Sequence, residues 1–99
     1  MTEQQPQNNQ IQIKATDEVL RGVYANAMQV LHTKQEFVLD FMNMFPPTGT
    51  LNARIIVSPA HLKQMILVLQ DNFNKYEANF GKVEASEAPS GTIGFQAKE

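Results

Sequence analysis

The chain has 99 residues, with 8 Lys plus Arg against 10 Asp plus Glu, a formal charge of −2 and no cysteine. That length holds one small domain; the charge argues against binding nucleic acid by phosphate neutralisation; and the missing thiols exclude disulfides and thiolate chemistry, which fits the cytosol. The opening "MTEQQPQNNQ" lacks the positive region and apolar stretch of a secretory signal, and every apolar run is far shorter than the roughly 20 residues that span a bilayer.

Residues 1–10 are nearly all Gln, Asn, Glu and Thr and bury too little apolar surface to offset their ordering entropy, so they are expected to form a disordered tail. "IQIKA", residues 11–15, alternates Ile11 and Ile13 against Gln12 and Lys14, the pattern of a half-buried strand. Asp17, Glu18 and Gly22 mark a connection. "GVYANAMQVLHT", residues 22–33, is a second strand, and "TKQE", residues 33–36, a break of hairpin length. "EFVLDFMNMF", residues 36–45, is a third strand. Its alternation puts Phe37, Leu39, Phe41 and Phe45 on one face and Val38, Asp40, Met42 and Met44 on the other. "PPTGT", residues 46–50, stops it, because proline cannot donate to a ladder and glycine suits a turn. "LNARIIV", residues 51–57, is a fourth strand with Leu51, Ala53, Ile55 and Val57 as its apolar face.

A long helix follows. Ser58 suits the N-cap and Pro59 the first helical position, and Gly81 suits the position just past the end. Between them Leu62, Ile66, Leu69, Phe73, Tyr76 and Phe80 recur every three or four residues as one stripe. Leu67 falls on the opposite face among Lys63, Asp71 and Asn74. Residues 82–99 are small and polar apart from an island at Ile93 and Phe95, and are expected to be a flexible tail. The expected fold is α+β: an antiparallel meander of about four strands with one long C-terminal helix packed on one face. It occupies residues 11–81, a core small enough to need completion by an oligomer or partner.

A two-residue "KQ" loop sets Val30 opposite Leu39, Met28 opposite Phe41 and Tyr24 opposite Phe45. Across "PPTGT", Phe45 is expected opposite Leu51 and Phe41 opposite Ile55. The helix stripe then covers the face of Met28, Val30, Leu39, Phe41, Phe45, Leu51 and Ile55. The other face carries Gln29, Leu31, Val38, Asp40, Met42, Met44, Arg54 and Ile56, with nothing obvious in the chain to cover it. Asp40 and Arg54 lie diagonally on adjacent strands and can pair. Val38, Asp40, Met42, Met44, Arg54 and Ile56, with Leu67 on the outer helix face, are the expected contact residues for a second copy or another protein. The first strand or the island at Ile93 and Phe95 could also fold over part of that face.

No reaction is legible. His32 and His61 are the only imidazoles and show no paired-ligand spacing. Ser58 beside His61 reads as a cap and a first-turn residue, and Glu36 near Asp40 belongs to a turn. "PSGTIG" has no helix after it to cradle a phosphate. Neither catalytic residues, a metal nor a cofactor is expected, and the protein reads as a non-enzyme.

The order of motifs resembles the bacterial domain of unknown function 3467 over about residues 20–81. It is carried by "YAN" (Tyr24 to Asn26), "EFVLDF" (Glu36 to Phe41), "RIIVSPAH" (Arg54 to His61) and "YEANFG" (Tyr76 to Gly81). A resemblance of this kind implies a fold more than a role. Genes of similar proteins lie beside those for the large subunits of RNA polymerase, so the resemblance implies a protein partner in the transcription machinery. The strand order is also similar to the meander-plus-helix core of SecB-type export chaperones, without a shared motif. Three roles follow: an accessory protein of a large assembly, a chaperone-like oligomer for unfolded chains, and a single-strand nucleic-acid binder. The last is disfavoured, since such binders place stacking aromatics and cations on an open face. Self-association as a symmetric dimer, or a partner needed for stability, is expected.

Overall fold

The computed structural model describes residues 9–87 and 91–96. The tails expected at 1–10 and 82–99 therefore fall partly outside the described residues, at 1–8, 88–90 and 97–99. In chain order the elements are α1 (Asp17–Arg21), β1 (Ala27–His32), β2 (Phe37–Phe45), β3 (Thr48–Val57) and α2 (Pro59–Phe80). The strands form an antiparallel meander, β1-β2-β3, with β2 in the centre. The α+β class holds, but among the described residues the sheet has three strands rather than four. Residues 11–15 are irregular and both isoleucines are exposed. Alternation makes a strand only where a neighbouring edge supplies hydrogen-bond partners and a packed face. The stretch read as a connection is instead the short helix α1. Val19 N donates to Thr16 Oγ1 at 3.2 Å, Asp17 and Glu18 occupy the first turn, and Gly22 closes it.

The first hairpin has the expected register: Val30 opposes Leu39, Met28 opposes Phe41, and Thr33 N donates to Glu36 O at 2.9 Å. The Tyr24–Phe45 pair does not form, because β1 begins only at Ala27. Ahead of it the Asn26 side chain takes over from the ladder. Met44 N donates to Asn26 Oδ1 at 2.7 Å, and Asn26 Nδ2 donates to Met44 O at 3.1 Å. Asn52 Nδ2 donates to Tyr24 O at 2.6 Å and ties down the same segment from β3.

The second hairpin departs from the expected register. Pro46 and Pro47 alone make the turn, with Phe45 opposite Thr48. One register irregularity then lies between Phe41 and Met42, where Asn52 is the extra residue on β3. Beyond it Phe41 opposes Ala53 and Leu39 opposes Ile55. The short turn and the bulge together displace β3 by an even number of residues past Asn52, so Ile55 keeps its expected face. Between turn and bulge the displacement is odd, so Leu51 changes sides and stands opposite Met42. Asp40 comes to lie directly opposite Arg54 instead of diagonally.

Helix α2 has the bounds its caps dictate. His61 N donates to Ser58 Oγ at 3.1 Å, Pro59 opens the first turn, and Gly81 follows with φ 95° and ψ 169°, a conformation reserved for glycine. Its packing differs from expectation: the helix does not lie on the sheet of its own chain. Leu62 and Met65 are half-buried, while Ile66, Leu69, Phe73, Tyr76 and Phe80 are exposed. Ser58 alone joins β3 to α2, shorter than the roughly 2–6 residues of a usual strand-to-helix turn. Such a joint leaves no slack for the helix to reverse over the sheet. The molecule is long, 62 × 40 × 33 Å, with a radius of gyration of 18.3 Å against about 13 Å for a compact chain of this length, and the exposed stretch before β1 contributes to this beside the undocked helix. The core is centred on β2, where Leu39 and Met42 are 3% exposed and Asp40 is 0% exposed.

Candidate protein-binding face

Alternation along β2 directs Val38, Asp40, Met42 and Met44 to one face of the sheet. On β3, Ile56 and Arg54 stand opposite Val38 and Asp40, and on β1 Leu31 and Gln29 do the same from the other side. The face is centred on a cross-strand row, Gln29–Asp40–Arg54. Arg54 Nε donates to Asp40 Oδ1 at 2.6 Å and Arg54 Nη2 donates to Oδ2 at 2.9 Å. This two-pronged fit matches the planar guanidinium to the carboxylate. The Asp40 side chain is fully covered, while that of Arg54 remains 45% exposed.

The hydrogen bonds from Arg54 hold the Asp40 carboxyl below the usual carboxylate range. Burial works against them, and the Arg54 charge and a hydrogen bond from Gln29 add to them. The same bonds raise the Arg54 guanidinium above its ordinary value. Both carboxylate oxygens are thus engaged by a group that stays charged, which suits a structural anchor rather than an acid–base catalyst.

The remaining residues of the face differ in depth. Val38 and Met44 are half-buried, Met42 is buried, and Ile56 and Leu51 are exposed. Gly49 stands opposite Met44, and a Cβ there would lie 2.8 Å from Met44 Sδ, the far end of a flexible side chain, and 3.1 Å from Asn43 O. The C-terminal island reaches this face: Arg54 Cζ lies 5.5 Å from the centroid of the Phe95 ring, within cation–π range. Six of the seven expected contact residues are therefore assembled together. Leu67 is not among them; it is exposed on α2, away from the sheet. Sequence reasoning missed Leu51, because nothing in the sequence marks the two-residue turn and the compensating bulge at Asn52.

Among the described residues no group of three or more His, Cys, Asp or Glu side chains could hold a metal ion, and no helix is long and apolar enough to cross a membrane. Ser58 Oγ is occupied by the His61 backbone amide.

Residues 1–85 match the model of a family described as "Protein of unknown function (DUF3467)", and the chain belongs to that family. No curated protein and no solved structure matches it.

Proposed function

We propose that this member of the DUF3467 family is a non-enzymatic protein-interaction module, an accessory protein of a large bacterial assembly, with RNA polymerase as the first partner to test. The observation that carries it is the Asp40–Arg54 pair set in an otherwise apolar face. The covered carboxylate fixes the orientation of a guanidinium that is still open on its outer side. Exposed Leu31, Leu51 and Ile56 surround it. Binding centres commonly join an Arg anchor to apolar neighbours. Val38, Met44, Arg54 and Ile56 are the proposed direct contacts, and Asp40 and Met42 support them from beneath. Leu67 is a separate candidate on α2. The choice of RNA polymerase rests on the resemblance alone.

Ile56→Glu tests the reading. Its side chain is exposed, so the circular dichroism spectrum should be unchanged. Affinity for purified bacterial RNA polymerase, read by fluorescence anisotropy of the labelled chain, should fall by about tenfold or more. Equal binding by wild type and variant would move the contact elsewhere, and no binding by wild type would remove the polymerase. The chaperone-like alternative draws support from the amount of exposed apolar surface. It would take over if the chain suppressed aggregation of an unfolded protein while ignoring the polymerase.

A further inference from the structure

Two further apolar surfaces lie outside that face. One is the stripe of α2, where Ile66, Leu69, Phe73, Tyr76 and Phe80 are exposed. The other is the opposite side of the sheet, where Met28, Val30, Phe45 and Ile55 are exposed around buried Leu39. Neither covers the other within one chain. We propose that they are two halves of one interface made between two copies: α2 of each copy lies on the Leu39 face of the sheet of the other.

Four observations support a second copy as the occupant. First, the chain itself carries both complementary surfaces, a long ridge and a flat apolar sheet, so a two-fold pairing covers both at once and closes without a leftover patch. Second, only Ser58 joins α2 to β3, which leaves the helix little slack to turn back on its own sheet, and short hinge loops invite the exchange of an element between protomers. Third, the area suffices. The chain exposes 8978 Å², whereas a compact monomer of this mass exposes about 5,700 Å². The excess of about 3,300 Å² is shared between these two surfaces and the exposed stretches at the two ends of the chain, and one partner's share of a standard interface, about 800 Å², is a fraction of it. Fourth, the apolar side of the helix is continuous. Shallow depressions follow it beside Met65, Val68 and Leu69 and beside Leu69, Phe73 and Tyr76. Phe73, Tyr76 and Phe80 form a continuous aromatic ridge with centroids 6.0 and 4.9 Å apart.

The inference does not depend on the proposed polymerase partner, because β3 separates the two surfaces residue by residue. Ile55 points to the Leu39 face and Ile56 to the Asp40 face.

Complementation between two variants tests it. Wild type should scatter light as twice the 11.1 kDa chain. Ile55→Glu and Leu69→Lys, each alone, should scatter as a single chain, because a homodimer of either carries the substitution in both of its contacts. An equimolar mixture should return to the dimer mass as a heterodimer, because one of its two contacts is then wild type. Ile56→Glu should remain dimeric. A second pair, Val30→Glu with Phe73→Lys, repeats the design at positions exposed in the single chain, with circular dichroism confirming that each variant is folded. A monomeric wild type overturns the proposal. So does a dimeric Ile55→Glu, as pairing through helices or through the β3 edge would give, or a dimeric Leu69→Lys, as pairing through sheets would give. Failure of both mixtures to form heterodimers overturns it as well.

Discussion

Among the described residues Asp40 is the one charged side chain in the core, and its neighbours determine how it responds to pH. Arg54 bonds both oxygens and keeps the carboxyl titrating below its unfolded value. A depressed carboxyl contributes stability above the unfolded value, near pH 4, that is lost as pH falls below it through the folded value. Asp40→Asn removes the titration but leaves the shape. In urea unfolding followed by fluorescence or circular dichroism, the stability gap between wild type and Asp40→Asn should be widest above about pH 4 and shrink on acidification. A gap that stays constant across that range would show that the pair does not govern the acid response. The same residue explains how a charge is tolerated at the sheet centre: its partner on β3 is directly opposite, and a covered charge without such a partner is strongly destabilising.

Helix α2 is defined by its ends and left open along its length. Within one chain Leu67 and Leu69 are nearly equally exposed, 64% and 65%, although they lie on opposite sides of the helix. A lone chain should therefore lose little stability from truncating either one. In the proposed exchanged dimer they differ. Leu69→Ala should cost about 2–5 kcal/mol, the range for a buried leucine, and Leu67→Ala should stay within about 0.5 kcal/mol, as surface substitutions do. The cost of Leu69→Ala should also vanish on dilution into the monomer range. Thermal melts at several protein concentrations check this, and identical melts at all of them would place Leu69 outside any contact.

At the scale of the molecule, the sheet separates two surfaces with different proposed occupants: a second copy on the Leu39 face and a partner on the Asp40 face. The C-terminal island stands where that partner would dock, with Phe95 against Arg54. An exposed cation–π contact is worth about 0.5–1 kcal/mol. Phe95→Ala is accordingly expected to tighten partner binding by about two- to fivefold, provided the ring has to move aside. Weaker binding in the same anisotropy titration would make Phe95 part of the contact instead of its competitor.

What the sequence determined by itself is local. Ser58, Pro59 and Gly81 bound α2 because caps act within one turn. The alternation of β2 put Asp40 and Arg54 on one side because neighbouring side chains on a strand point oppositely. The pattern Thr16–Asp17–Glu18 with Gly22 also held the signal for α1, although a connection was the simpler reading. Only the tertiary structure decided the rest. Ile11 and Ile13 alternate like a strand, but no sheet edge is beside them. The two-residue turn puts Leu51 on the other face, and the bulge at Asn52 returns Ile55 to its expected one, through ladder geometry that no residue type announces. The Asn26 side chain extends the pairing ahead of β1, beyond its own backbone bond to Met42 O, because it meets Met44, a contact across the sheet. The apolar stripe of α2 required that something cover it; a period of 3.6 residues says which side of a helix avoids water and nothing about whose sheet it meets. That was set by the single residue between Val57 and Pro59, too short a joint for the helix to turn back on its own strands.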